Sequence, residues 1–239
     1  MEKVILVLRA GTAEPGAEEQ WCERLRGPVA QELLDIGLPG LTINVKDDPV
    51  RTSLMTLTTL DPPVTGFVSL WTQQHYGPQT QHAVTLLARE CADVFGYLVT
   101  ESAPLPPPAT EPGARTTGLA NIALLRRPAG LDVSTWRTRW QIDHTPVAIA
   151  TQSTFGYVQN DVVRALTPGA PELAAIVEEL FPDAAVSDLH AFFGAADDAD
   201  LSDRMTKMVA STAAFGANEN IDTVPTSRYV YRWPFVDTV

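Results

Sequence analysis

Basic residues are scarce in this chain. Its 239 residues include 17 Lys and Arg against 29 Asp and Glu, a formal net charge of −12. Phosphate recognition needs clustered cations, so this balance argues against nucleic acid and anionic membrane surfaces as partners. Cysteine is scarcer still. Cys22 and Cys91 lie far apart, cannot make a four-ligand zinc site, and read as two reduced thiols in helices. The four histidines, His75, His82, His144 and His190, form no His-x-x-x-His or Glu-x-x-His pair. No metal or haem site is therefore encoded by spacing, and the expected cofactor is none. Gly-x-Gly-x-x-Gly and phosphate-loop patterns are missing, which leaves nucleotide cofactors without support. Gly-x-Ser-x-Gly is missing too, which removes the usual serine hydrolase signal. No apolar run approaches the roughly 20 residues of a membrane helix. The start, Met1-Glu2-Lys3-Val4-Ile5, enters a strand at once, so no signal peptide is expected and the location reads as cytoplasmic.

What is present suits a globular core: 45% hydrophobic and 19% charged residues. Periodicity predicts strands at 4–8, 41–45, 66–71 and 97–100, with a further one at 54–60. Helices are predicted at 18–36, broken by Pro28, and at 79–91. Residues 102–117 carry five prolines, Pro104, Pro106, Pro107, Pro108 and Pro112, and read as a linker between halves 1–101 and 118–239. The second half predicts strands at 120–125, 155–163, 189–193 and 228–233. Its helices are predicted at 134–150 with Ser134 as N-cap, 172–180 and 201–215. Each half is then β-α-β-β-α-β, the ferredoxin-like order. Short echoes support a duplication. Trp21-x-x-Arg24 matches Trp136-x-x-Arg139, Pro28-Val29-Ala30 matches Pro146-Val147-Ala148, Asp48-x-Val50-Arg51 matches Asp161-x-Val163-Arg164, and Phe95-Gly96 matches Phe215-Gly216.

The densest set of polar and aromatic groups lies between Trp136 and Arg164. Trp140, the segment His144-Thr145-Pro146-Val147-Ala148 and the segment Tyr157-Val158-Gln159-Asn160 resemble the EthD-like family of the dimeric α+β barrel superfamily. That resemblance implies an α+β fold in which tandem ferredoxin-like repeats form a fused dimeric barrel, so one chain is a pseudo-dimer, monomeric or weakly self-associating. It also implies cofactor-free chemistry on a small hydrophobic carbonyl or phenolic ligand, of the lyase, polyketide cyclase, isomerase or oxygenase type.

Three residues separate Arg24 from Pro28, but six separate Arg139 from Pro146, and these include Asp143 and His144. Any His-dependent site therefore belongs to the second half. His144 could pass a proton at neutral pH. Asp143 is its neighbour in a helix and points elsewhere, so another acid would have to orient the ring. Gln159, Tyr157 or His190 would hold an oxyanion. Trp140, Asn160, Asp188 and the strand aromatics Trp71 and Tyr97 would line the substrate cavity. Asp188, His190 and Phe192 share one face if 188–193 is a strand. His75 and His82 read as surface residues. The alternative to an enzyme is a binding or accessory protein with the same pocket and no turnover.

Overall fold

The structure, a computed structural model, describes residues 1–11 and 16–235. The end of the second half, 236–239, lies outside the described residues. Eight strands are β1 Glu2–Arg9, β2 Gly40–Val45, β3 Gly66–Thr72, β4 Asp93–Leu105, β5 Leu119–Leu125, β6 Gly156–Ala165, β7 Ala175–Phe181 and β8 Asp222–Arg232. They form one closed antiparallel barrel in the order β1-β3-β2-β8-β5-β7-β6-β4. Within the first half the order is β4-β1-β3-β2, and within the second it is β8-β5-β7-β6. The halves join where β2 pairs with β8 and β4 with β6.

Alternation along the strands sorts the core into layers. Ile5, Val7, Phe67, Tyr97, Ile122, Leu124, Ile176 and Val224 fill the barrel interior. On the outer face of the first half, Val4, Leu6, Leu8, Ile43, Val68 and Leu70 pack against the helices. Those helices are α1 (Ala17–Arg24), a π-helical turn (Leu25–Val29), α2 (Ala30–Asp35) and α3 (Pro78–Glu90). The run 17–35 continues through Pro28 because the missing N–H falls in the widened π turn. In the second half, α4 (Val133–Arg137), a π turn (Thr138–His144) and α5 (Thr145–Thr151) form one run. The short α6 (Leu189–Phe193) and long α7 (Asp198–Ala213) complete the layer. Asp132, not Ser134, caps α4, its carboxylate accepting the Thr135 backbone N–H at 2.9 Å.

Three expected elements differ. Residues 172–180 are not a helix: 175–181 form β7, paired on both edges with β5 and β6. A strand covered on both faces loses its period of two, and its Ala- and Glu-rich composition imitates a helix. Residues 188–193 are a helix rather than a strand. Asp188 caps α6 by accepting the His190 N–H, and Gly194 closes it with positive φ. Residues 54–60 form no strand beyond a single bridge, Leu57 to Thr223. The proline-rich segment also begins later than expected, because β4 continues to Leu105. Pro104 sits at a register shift against β6, where its missing donor is tolerated.

Helix α7 lies over the second-half sheet, and none of its residues is buried. Few buried contacts mean cheap local opening. Amide exchange in α7 should therefore be markedly faster than in β5, where every residue is buried. Hydrogen–deuterium exchange resolved by peptide would show equal protection if α7 were instead an integral part of the core.

Candidate functional site

The two outer faces differ in side-chain size. Large aliphatics fill the space beneath the first-half helices. In the second half the outward positions include Ala123 and Val177, with Asn121, Glu179 and Tyr157. The helices stand over a floor that does not fill the gap, and a partly open cavity of about 280 Å³ remains. Its floor is β5, β7 and β6, and its roof includes Trp140, His144, Met208, Thr212 and Phe215. Leu57 and Met55, from the first half, close one side.

Trp136, Trp140 and His144 recur every four residues, so they form one stripe of the helix, and all three are buried. The Trp136 and Trp140 rings pack in a tilted pair with centroids 5.0 Å apart. His144 ends the π turn, and its ring packs 4.9 Å from that of Phe215. Its Nδ1 is 2.8 Å from Ser211 Oγ on α7. The group orienting the ring is thus a hydroxyl and not an acid, and Asp143 points to solvent. No hydrogen bond to Nε2 is found among the described residues, and His144 lines the cavity. Burial lowers the His144 pKa to about 4, so the ring is neutral at pH 7.

Strand register puts three polar residues in a row. Asn121 of β5 is opposite Glu179 of β7, and Glu179 is opposite Tyr157 of β6. Directly opposed side chains start about 5 Å apart at Cβ. No hydrogen bond or ion pair to Glu179 is found among the described residues, and burial raises its pKa to about 8. That shift favours the neutral carboxylic acid near neutral pH. Tyr157 is raised by burial first and by the neighbouring Glu179 second, so its hydroxyl keeps its proton. Trp140 Nε1, Asn121 Oδ1 and Gln152 Oε1 are buried without partners and all belong to residues lining the cavity.

The remaining expected residues lie elsewhere. Gln159 is on the outer face but is turned away from the cavity, donating to Thr145 Oγ1 at 2.7 Å and accepting from Ser102 Oγ at 3.1 Å. Asn160 points into the barrel interior, where it accepts from Lys3 Nζ at 2.7 Å. Tyr97 is also interior, its hydroxyl donating to the Pro171 carbonyl at 2.7 Å. Trp71 stands at the barrel mouth, 6.0 Å from Trp233 and beneath Lys3. Period-two alternation sends these three inward, on the other side of the sheet from His144. Asp188 is a helix cap. His190 is half-exposed on α6, 3.0 Å from Asp198. Phe192, its neighbour but one, is the α6 residue that lines the cavity. His75 is half-buried instead of on the surface, its Nδ1 2.9 Å from a Glu2 carboxylate oxygen. Sequence reasoning missed Glu179, Asn121, Gln152 and Ser211. The one available signal was the Glu178-Glu179 pair inside an apolar run, which a strand reading sends to opposite faces.

Among the described residues, no three His, Cys, Asp or Glu side chains gather as metal ligands, and Cys22 and Cys91 are free thiols. No helix there is long and apolar enough to cross a membrane. A second, wider groove of about 640 Å³ is lined by Arg126, Arg127 and Arg137. Two of its guanidiniums are already paired, Arg126 with Asp222 at 2.8 Å and Arg137 with Asp161 at 2.6 Å.

The two shifted groups make stability depend on pH in opposite senses. His144 is harder to protonate folded than unfolded, so stability falls as pH drops from about 6.5 through 4. Glu179 holds its proton more tightly folded than unfolded. Its contribution is complete below about 4.5 and is lost as pH rises through 8. Stability should be greatest near pH 5 to 6, and Glu179→Gln should exceed wild type by up to a few kcal/mol at pH 9 but not at pH 4. Urea titrations at both pH values measure this. An equal difference at the two would mean that Glu179 is not a buried acid.

No family model matches the sequence, and no curated protein matches it. Solved structures do match. An anthrone oxidase-like protein superposes with TM-score 0.51 at 10% identity, over 100% of this chain and 96% of that one. A candidate monooxygenase from Lactobacillus acidophilus gives 0.46 at 6% identity, covering 97% and 95%. A mutant chlorite dismutase from Candidatus Nitrospira defluvii gives 0.46 at 9% identity, covering 95% and 90%. The likeness to the anthrone oxidase-like protein, with the closed eight-stranded antiparallel barrel, shows an α+β barrel fold of that type for this chain.

Proposed function

We propose that the chain is a cofactor-free enzyme that moves a proton beside the oxygen of a small, apolar carbonyl or phenolic compound. In this reading it is an EthD-like protein of tandem ferredoxin-like repeats, fused into a pseudo-dimer. The shared strand order of the halves and the three matching segments of 136–164 support that part.

One observation carries the chemistry: His144, whose Nε2 has no hydrogen-bond partner among the described residues, and Glu179, whose carboxyl is pushed toward its neutral form by burial, line the same cavity. Pairs of titratable groups pushed apart in pKa mark acid and base roles. With its Nδ1–H donating to Ser211 Oγ, His144 presents a lone pair at Nε2. Nε2 takes a proton from carbon next to the carbonyl. The C–H electron pair becomes the new C=C bond, and the carbonyl π pair moves to oxygen. That oxygen accepts hydrogen bonds from the Glu179 acid and from Tyr157 or Trp140. Return of the proton to a carbon, the same or another, restores His144. Shielding from water strengthens each of these hydrogen bonds.

A binding or accessory protein without turnover is the second reading. It is favoured by Ser211, since a hydroxyl on Nδ1 raises the basicity of the ring less than a carboxylate would. Incubation with acetophenone in D₂O separates the two. An enzyme of this type exchanges the methyl protons for deuterium faster than buffer does. Exchange at the buffer rate, for acetophenone and for larger aryl ketones, leaves only the binding reading.

A further inference from the structure

The groups left unpaired in the cavity have both hydrogen-bonding senses. Trp140 Nε1 is a buried donor with no acceptor, and Asn121 Oδ1 and Gln152 Oε1 are buried acceptors with no donor. Leaving such groups unpaired is costly, and a ligand that completes them recovers the loss. The cavity has no Lys or Arg in its wall. Glu179 stands in the middle of the polar row, between Asn121 and Tyr157. The rest of the wall includes Ala123, Val177, Phe192 and Phe215. An anion placed here would lose its water and gain no cation.

We propose that this cavity selects an uncharged aromatic ligand bearing both a hydroxyl and a ketone oxygen, and that its cation-free wall rejects the matching carboxylate. The hydroxyl donates to Asn121 or Gln152. The ketone oxygen accepts from Trp140, Tyr157 or the Glu179 acid. A volume of about 280 Å³ is at the small end of ligand sites and suits one ring or two fused rings. The proposal rests on the cavity being the substrate site, as in the preceding section, but it concerns binding and needs no turnover.

Three matched probes test it by calorimetry at pH 6: 4′-hydroxyacetophenone, acetophenone and 4-hydroxybenzoate. The hydroxyketone should bind about tenfold or more tighter than the hydroxybenzoate, and several-fold tighter than acetophenone. Acetophenone carries no ionising group, so its binding reports on the protein alone. Between pH 6 and 9.5 it should weaken several-fold in wild type and stay constant in Glu179→Gln. Thermal unfolding of that variant confirms that it is folded. Equal or tighter binding of 4-hydroxybenzoate overturns the proposal. So does a pH dependence that survives in Glu179→Gln, or the failure of all three probes to bind the folded wild type. Binding in the expected order with no deuterium exchange would sustain this selectivity while removing the catalytic reading. Exchange abolished by His144→Ala, with 4-hydroxybenzoate still bound tightly, would do the reverse.

Discussion

His144→Ala should slow deuterium exchange, or turnover of an identified substrate, by roughly 10²–10⁴-fold, the range for losing a general base. The pH profile should identify the residue as well. An exposed histidine would place the acidic limb near its ordinary value of about 6.5. Burial moves His144 to about 4, so wild-type rates should hold from neutral pH down to about 5 and fall only below that. The alkaline limb should lie near 8, where Glu179 loses its proton and ceases to be a donor. In Glu179→Gln that limb should vanish while the acidic one stays. An acidic limb near 6.5, or a His144→Ala enzyme with unchanged rates, would remove His144 from the chemistry. Ser211→Ala is the companion test. It frees Nδ1 and should cost less, because Ser211 positions the ring and touches no reacting atom.

Trp140→Ala should lower stability by about 3–5 kcal/mol, the range for removing a fully buried tryptophan. Trp140 has no exposed surface and packs on Trp136, so both transfer energy and packing are lost. For a chain of this size that corresponds to a fall in melting temperature of roughly 10 °C or more. Trp140→Phe separates packing from hydrogen bonding. It keeps much of the ring packing and deletes Nε1–H, which has no protein acceptor, so it should cost far less stability. Its effect should instead appear in the binding of ketone ligands. Scanning calorimetry of the two variants measures the first point. A Trp140→Ala protein melting within a few degrees of wild type would mean that the helix closes onto the sheet and the cavity collapses.

Reading along the chain placed the elements whose own residues announce them. A continuous apolar run such as Val4–Leu8 is a strand, because no other element buries both faces of so short a segment. Trp140 and His144 lie one turn apart in the predicted helix 134–150, which already held two of the cavity-lining residues together. The stretches that misled were those whose neighbours decide. β7 looks helical in isolation and becomes a strand because β5 and β6 offer partners on both edges. The segment 189–193 looks like a strand and becomes a helix because Asp188 caps it and Gly194 ends it.

By itself, then, the sequence determined composition, local periodicity, the dearth of cations and ligand pairs, and the asymmetry that leaves a histidine only in the second half. Only the tertiary structure decided which side chains meet. Asn121, Tyr157 and Glu179 are distant in sequence, and barrel register alone sets them in one row. The same register turns Tyr157 outward toward His144 and turns Asn160, Tyr97 and Trp71 inward, away from it. Protonation was decided there as well. An acid and a base are both kept neutral by burial in one cavity, and burial depends on what packs over a residue from elsewhere in the chain.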